Sequence, residues 1–299
     1  MISILVPQFE ALLSEARSRP GLIERLLARA VPRPLDASAP AAELLTGQPL
    51  PAAAISRLRD GPGDAEGALW LRADPVRLVP DLNAVWVQTG VGLAADHPAL
   101  PELAELFAEA GLAFELPVPE RGYLRLEAVP DCTFQPPEAL VGQSLDHALP
   151  EGPDARRWKR LLNEAQVILH QYRDQSEVGG LWFWGPGALP PRSSLSPRLS
   201  HLCATDPDLL RLADWLGLSH EPVDAPARVA DASLVCWPAD AALSADENLQ
   251  ALSAWLRPLW RRLLSRRIDA LELAGRERVW RLTATQAWQV WRRRSVLPT

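Results

Sequence analysis

The chain is nearly devoid of lysine and poor in sulfur. Of its 31 basic residues only Lys159 is a lysine, so 30 are arginine. The three cysteines, Cys132, Cys203 and Cys236, are odd in number and widely spaced, with no C-x-x-C pair. Neither a zinc ribbon nor a disulfide framework is expected, and three buried thiols are. No run of about 18 apolar residues occurs, so no segment reads as a transmembrane helix. The opening residues lack the basic stretch and cleavage site of a signal peptide, so a cytoplasmic location is the expectation.

Motif absences exclude more. There is no G-x-x-x-x-G-K-[ST], no G-x-G-x-x-G opening a helix, no H-E-x-x-H and no G-x-S-x-G. The nearest approach to the last, at 142–146, lacks its final glycine. His97, His147, His170, His201 and His220 lie singly, with no metal-ligand spacing between any two. No cofactor and no metal is expected on this ground.

What is present reads as globular. Hydrophobic residues make up 47% of the 299 and charged residues 23%, enough for a sizeable core. Short amphipathic helices are expected within 8–30, then an Ala-rich linker punctuated by prolines, then a helix opening at Pro51. The stretch 60–64, Asp-Gly-Pro-Gly-Asp, is a break. Two parts follow: a helical N-terminal arm with its linker over 1–62, and a mixed α/β domain over 63–299. In the second part strands are expected over 68–75, 84–89, 113–118 and 123–128, the last two as a hairpin. Ser244 and Glu247 form a capping-box pair opening a long helix. Further strands are expected at 233–237, 268–273 and 278–283, and a short closing helix at 288–293. Strands mixed with helices without regular alternation imply an α/β (α+β) fold, a mixed sheet flanked by helices.

The densest stretch is 154–190. Trp158, Leu161, Leu162, Ala165, Ile168, Leu169 and Tyr172 recur at helical spacing on one face. Asn163, Gln166 and His170 form a second stripe on the flank of that face. Leu181-Trp182-Phe183-Trp184 reads as an aromatic strand ending at Gly185-Pro186-Gly187. Glycines at a strand end let a backbone approach a ligand closely, or simply turn the chain. Arg72 and Asp74 alternate on a strand that Pro75 is expected to end, so both point to one face. Two readings stand: an arginine gripping an anion with a carboxylate behind it, or a structural ion pair. A pocket, if formed, would draw on Arg72, Asp74, Asn163, Gln166, His170, Trp184, Gly185 and Gly187.

The C-terminal region is basic and rich in tryptophan. Trp288, Trp291, Arg292, Arg293 and Arg294 could serve a partner, either an acidic protein surface or single-stranded nucleic acid. The alternative is arginines lying over a tryptophan-rich core. The net charge of −6 argues against a dedicated nucleic-acid binder.

The segments WLRADPVRL (70–78), NEAQVILH (163–170) and LWFWGPG (181–187) together resemble the RpfE-like regulatory protein family, over about the middle 120 residues. Its members often carry the label of cofactor-independent phosphoglycerate mutases. A metal-dependent mutase needs a serine nucleophile and two metal ions held by several Asp and His; a cofactor-dependent one needs a histidine in an R-H-G context. The chain has no R-H-G and no histidine before His97. The leading expectation is therefore a non-catalytic regulatory protein acting through a protein partner or a small anionic ligand. A mutase-like enzyme on phosphorylated three-carbon acids is the second reading, and a nucleic-acid-associated protein the third.

Overall fold

Residues 2–5 form the strand on which the larger sheet is centred. The computed structural model describes residues 1–61, 63, 65–82, 85–140, 144–145, 148–223 and 228–289. In chain order the first elements are β1 (Ile2–Leu5), α1 (Phe9–Glu15), α2 (Gly21–Arg29), β2 (Val31–Pro34), α3 (Pro40–Thr46) and α4 (Ala52–Asp60). Then come β3 (Leu69–Pro80), β4 (Val85–Gln88), α5 (Ala99–Glu109), β5 (Ala113–Val118), β6 (Arg121–Leu126), α6 (Ala155–Gln171) and β7 (Gly180–Gly187). The last are β8 (His201–Cys203), α7 (Pro207–Leu216), β9 (Ser219–Glu221), β10 (Ser233–Cys236), α8 (Ala245–Leu264), β11 (Ala270–Ala274), β12 (Arg278–Thr283) and α9 (Ala284–Ala287). The chain has a mixed α/β fold, and its longest sheet is mixed, with helices packed on it.

Two compact units result, one of residues 1–49 with 195–299 and the other of residues 50–194. This division differs from the expected break at 62/63. The N-terminal region is helix and strand, and β1 pairs in parallel with both β10 and β11, so it cannot be separated from the C-terminal half. Its ISIL run is buried at every position, a pattern of central parallel strands that lacks the alternation by which strands are usually read. The expected Ala/Pro linker holds α3, which Pro40 opens at a first-turn position and Gly47 closes in the left-handed region.

The first unit carries a sheet in the order β2-β12-β11-β1-β10-β8-β9. Five strands, β11 through β9, run parallel; β12 and β2 add antiparallel at one edge. Ile2, Ile4, Val235, Leu271 and Leu273 from the sheet pack with residues of α1, α2 and α8 in one core. Along α8, Leu249, Leu252, Leu256, Leu259 and Leu263 are all buried, each contributing about 1.5–3 kcal/mol. The Ser244–Glu247 capping box starts that helix. Both edges are blunted: β2 carries two prolines and β9 is three exposed residues long.

The second unit is antiparallel, in the order β4-β3-β6-β5, with β7 paired on the other side of β3. The β5–β6 hairpin forms as its turn residues lead one to expect. β3 does not stop at Pro75; it runs on to Pro80, with Pro75 opposite Leu181 of β7. The apolar face of α6 buries Trp158, Leu161, Leu162, Ala165 and Leu169, and Trp158 meets Phe183 of β7 edge to face. At the C-terminal end, a capping box of Thr283 and Gln286 opens α9. The expected helix over 288–293 lies, from residue 290 on, outside the described residues.

Candidate functional site

In the first unit, the parallel pairing of β8 with β9 aligns His201 with Ser219 and Cys203 with Glu221. Because side chains alternate along a strand, His201, Cys203 and Glu221 share one face. One imidazole nitrogen, the Cys203 sulfur and one Glu221 oxygen all lie within 4.8 Å of one another. Cys203 is buried, His201 half-buried and Glu221 exposed, so the group has a dry back and an open front.

The ring of His201 is held by its neighbours. Nδ1 lies 2.7 Å from the Ser219 hydroxyl, and that hydroxyl donates to the Ser200 carbonyl at 3.3 Å. Ser219 therefore accepts from Nδ1–H, and the lone pair of a neutral ring sits on Nε2. Nε2 is buried without a hydrogen bond, yet lies 3.0 Å from Oε1 of Glu221. Two acceptors facing at that distance repel unless a cation stands between them. Either a proton on Nε2, poorly aimed for a hydrogen bond, or a metal ion relieves this.

The donor set fits a metal. Imidazole, thiolate and carboxylate together suit a borderline-soft divalent ion such as Zn²⁺, and three protein ligands leave a coordination position open. Ligand atoms around a tetrahedral zinc stand roughly 3.3–3.8 Å apart, and here Oε1 of Glu221 lies 3.0 Å from Nε2 of His201 and 3.9 Å from Sγ of Cys203. The Ser219 contact fixes the ring as partners behind metal-bound histidines do. Among the described residues no second cluster of this kind occurs, so a two-metal centre is not formed by them. Nearby, Cys236 stays a thiol: burial pushes it up to about 12, with the charges of Asp206 and Cys203 adding to the effect.

The residues singled out in the sequence fall in the second unit and divide into separate places. Arg72 grips Asp74 with two nitrogens, at 2.8 and 2.9 Å, and its third donates to Ser56 at 2.7 Å. The indole of Trp184 also donates to Asp74, at 2.7 Å, and the guanidinium lies over its ring. This cluster is buried. Burial pushes the Asp74 carboxyl up, while Arg72 and the Trp184 indole favour its anion. Gly185 and Gly187 pack against Ala52 and Pro51 at the start of α4. Asn163, Gln166 and His170 are exposed on α6, and Gln166 and His170 line an open cavity of about 760 Å³ with Arg77 and Arg173. Trp288 is exposed and donates to the Leu264 carbonyl; Trp291, Arg292, Arg293 and Arg294 lie outside the described residues.

Sequence reasoning missed His201, Cys203 and Glu221. Residues 190–201 read as a polar loop, and Glu221 joins the pair only through the β8–β9 register. The available signal was the H-x-C alternation itself, which on a strand puts two ligands on one face.

No family model matches the chain. A 70-residue stretch, 21% of the chain, is 37% identical to a Geobacter sulfurreducens protein named "Probable 2,3-bisphosphoglycerate-independent phosphoglycerate mutase", and it spans 18% of that protein. In structure the chain is similar to the cofactor-independent phosphoglycerate mutase from Thermoplasma acidophilum, with a TM-score of 0.37 and 16% identity over 94% of this chain and 89% of that one. A protein from Pyrococcus horikoshii gives a TM-score of 0.34 and 10% identity over 94% and 87%. At these scores neither structure bears on the function. The sequence match does, and with the His201–Cys203–Glu221 cluster it corrects the expectation of a non-catalytic protein. Together they favour an enzyme-like chain over a purely regulatory one.

Proposed function

We propose that the first unit holds one divalent metal ion on His201, Cys203 and Glu221 and acts there on a small phosphorylated acid, as a phosphoglycerate mutase-like enzyme. The observation that carries this reading is the convergence of His201 Nε2 and a Glu221 carboxylate oxygen, 3.0 Å apart, with the Cys203 thiol completing the set. The partial match to a protein named as a phosphoglycerate mutase supports the substrate class. A bound ion would polarise a phosphoryl or carboxyl oxygen of that substrate. The chain's own residues do the rest. Ser219 holds the imidazole in the tautomer that presents Nε2, and buried Cys203 keeps the back of the site dry. Glu221, half exposed, leaves the front open for substrate entry.

The test is turnover. Protein supplied in turn with Zn²⁺, Mn²⁺ and Mg²⁺ is assayed for interconversion of 3- and 2-phosphoglycerate and for phosphate release. Metal-dependent turnover that falls on the order of a hundredfold in Cys203→Ser and His201→Ala is expected. No turnover with any of the three metals, or turnover indifferent to both substitutions, would overturn the reading.

A further inference from the structure

The opposite edge of the same sheet carries three arginines around one cleft. In the β12–β2 register Arg281 stands opposite Val31 and Val279 opposite Arg33, so all four share a face. Glu272 of β11, the partner of Arg281, belongs to that face too. Arg198 reaches in over Gly47: a Cβ there would lie 2.6 Å from its Cδ, and Gly47 has φ +83. The resulting cleft has a volume of about 450 Å³.

Its charges do not cancel. Glu272 is buried and already satisfied, by the Ser3 hydroxyl at 2.7 Å and by Arg198 at 3.0 Å. Arg33 pairs with Glu43 and also donates to the Pro34 carbonyl. Arg281 is different. Its nearest carboxylate oxygen, on Glu272, is 4.0 Å away, too long for a charge-assisted hydrogen bond, and its side chain is 54% exposed. Three guanidiniums thus face two carboxylates, with the donors of Arg281 still open. The buried Glu272–Arg198 pair holds the wall in place before anything binds, and exposed Val31, backed by buried Val279, gives an apolar surface beside the charge.

We propose that this cleft binds a small phosphorylated organic acid, with Arg281 and Arg33 on the phosphate and Val31 against its carbon chain. The site is separate from the His201–Cys203–Glu221 cluster, which lies at the β8–β9 edge, and needs no metal. It stands or falls independently of the catalytic reading. A ligand there acts as an effector or as a second anchoring point, and a fork of donors with an aliphatic floor suits an organic phosphate better than the bare ion.

Calorimetric titration of the full chain with 3-phosphoglycerate and with inorganic phosphate tests this, in EDTA so that the metal cluster stays empty. The variants are Arg281→Gln, Arg33→Gln and, as control, His201→Ala. The expected result is saturable binding of 3-phosphoglycerate, tighter than of phosphate and weakened by added salt. Arg281→Gln should weaken it roughly tenfold and Arg33→Gln likewise, with His201→Ala unchanged. Both arginines are about half exposed, and thermal melts of the variants check that the fold persists. No binding by the wild-type chain, or binding that both arginine variants leave within about twofold, would overturn the proposal. Equal affinity for phosphate and phosphoglycerate would refute the organic-acid assignment.

Discussion

Asn in place of Asp74 keeps the shape of the side chain and removes the charge that Arg72 faces. In the wild-type chain two guanidinium nitrogens and the Trp184 indole donate to the carboxylate, and the side chains of Arg72 and Asp74 are only 6% and 12% exposed. The amide accepts on one oxygen only and turns its own N–H donors toward the guanidinium. Arg72 is left a buried cation whose remaining partners, the amide oxygen and the Ser56 hydroxyl, are neutral. Breaking a buried pair in this way costs about 3–5 kcal/mol. The burial that pushes Asp74 up offsets part of its value as an anion, which favours the lower end. Because the chain has two compact units, one global transition is not a safe readout. Native-state hydrogen exchange on peptides from β3 and β7 is. Exchange there should quicken on the order of a hundredfold to a thousandfold in Asp74→Asn. The double variant Arg72→Met/Asp74→Leu removes both charges and should recover most of the loss. An Asp74→Asn effect below about 1 kcal/mol, or a double variant as unstable as the single, would refute the reasoning.

Two further predictions concern single contacts. Gly185 has φ +63, and a Cβ there would lie 2.9 Å from the Ala52 Cβ and 3.2 Å from the Ala53 nitrogen. Gly185→Ala should cost the second unit about 1–3 kcal/mol by hydrogen exchange on peptides from α4 and β7, and a change under about 0.5 kcal/mol would count against the packing described. Asp246 accepts from the backbone N–H groups of Arg17 and Ser18 and from the Ser18 hydroxyl, which hold its carboxyl below the ordinary 3.8. A depressed folded value means the stabilisation is complete above the unfolded value and lost as pH falls through the folded one. Asp246→Asn should therefore lower stability at neutral pH and flatten the acid limb of stability against pH; an unchanged acid limb would contradict it.

The fold was legible where local chemistry sufficed. The 3.6-residue spacing from Trp158 to Tyr172 gave α6, Ser244 and Glu247 gave the start of α8, and the turn at 120–122 gave the β5–β6 hairpin. It was illegible where pairing decides. The four residues of β1 carry no alternation, and their place between β10 and β11 depends on strands more than 200 residues away. α3 was hidden by the prolines that in fact open it. The first unit is discontinuous, with the second inserted between 49 and 195, and no composition shift marks that. The candidate site was illegible for the same reason. Glu221 is 18 residues from Cys203, and only the register of two three-residue strands brings them together. Arg72 and Asp74 were rightly read as sharing a face, because alternation on one strand is a local property.

Loading the chain with Co²⁺ shows whether His201, Cys203 and Glu221 hold a metal ion. Bound metal is measured after dialysis, together with the near-ultraviolet thiolate-to-cobalt charge-transfer band. One ion per chain is expected, with a band that Cys203→Ser abolishes while Cys132→Ser and Cys236→Ser leave it intact. No stoichiometric metal, or a band that survives Cys203→Ser, would contradict it.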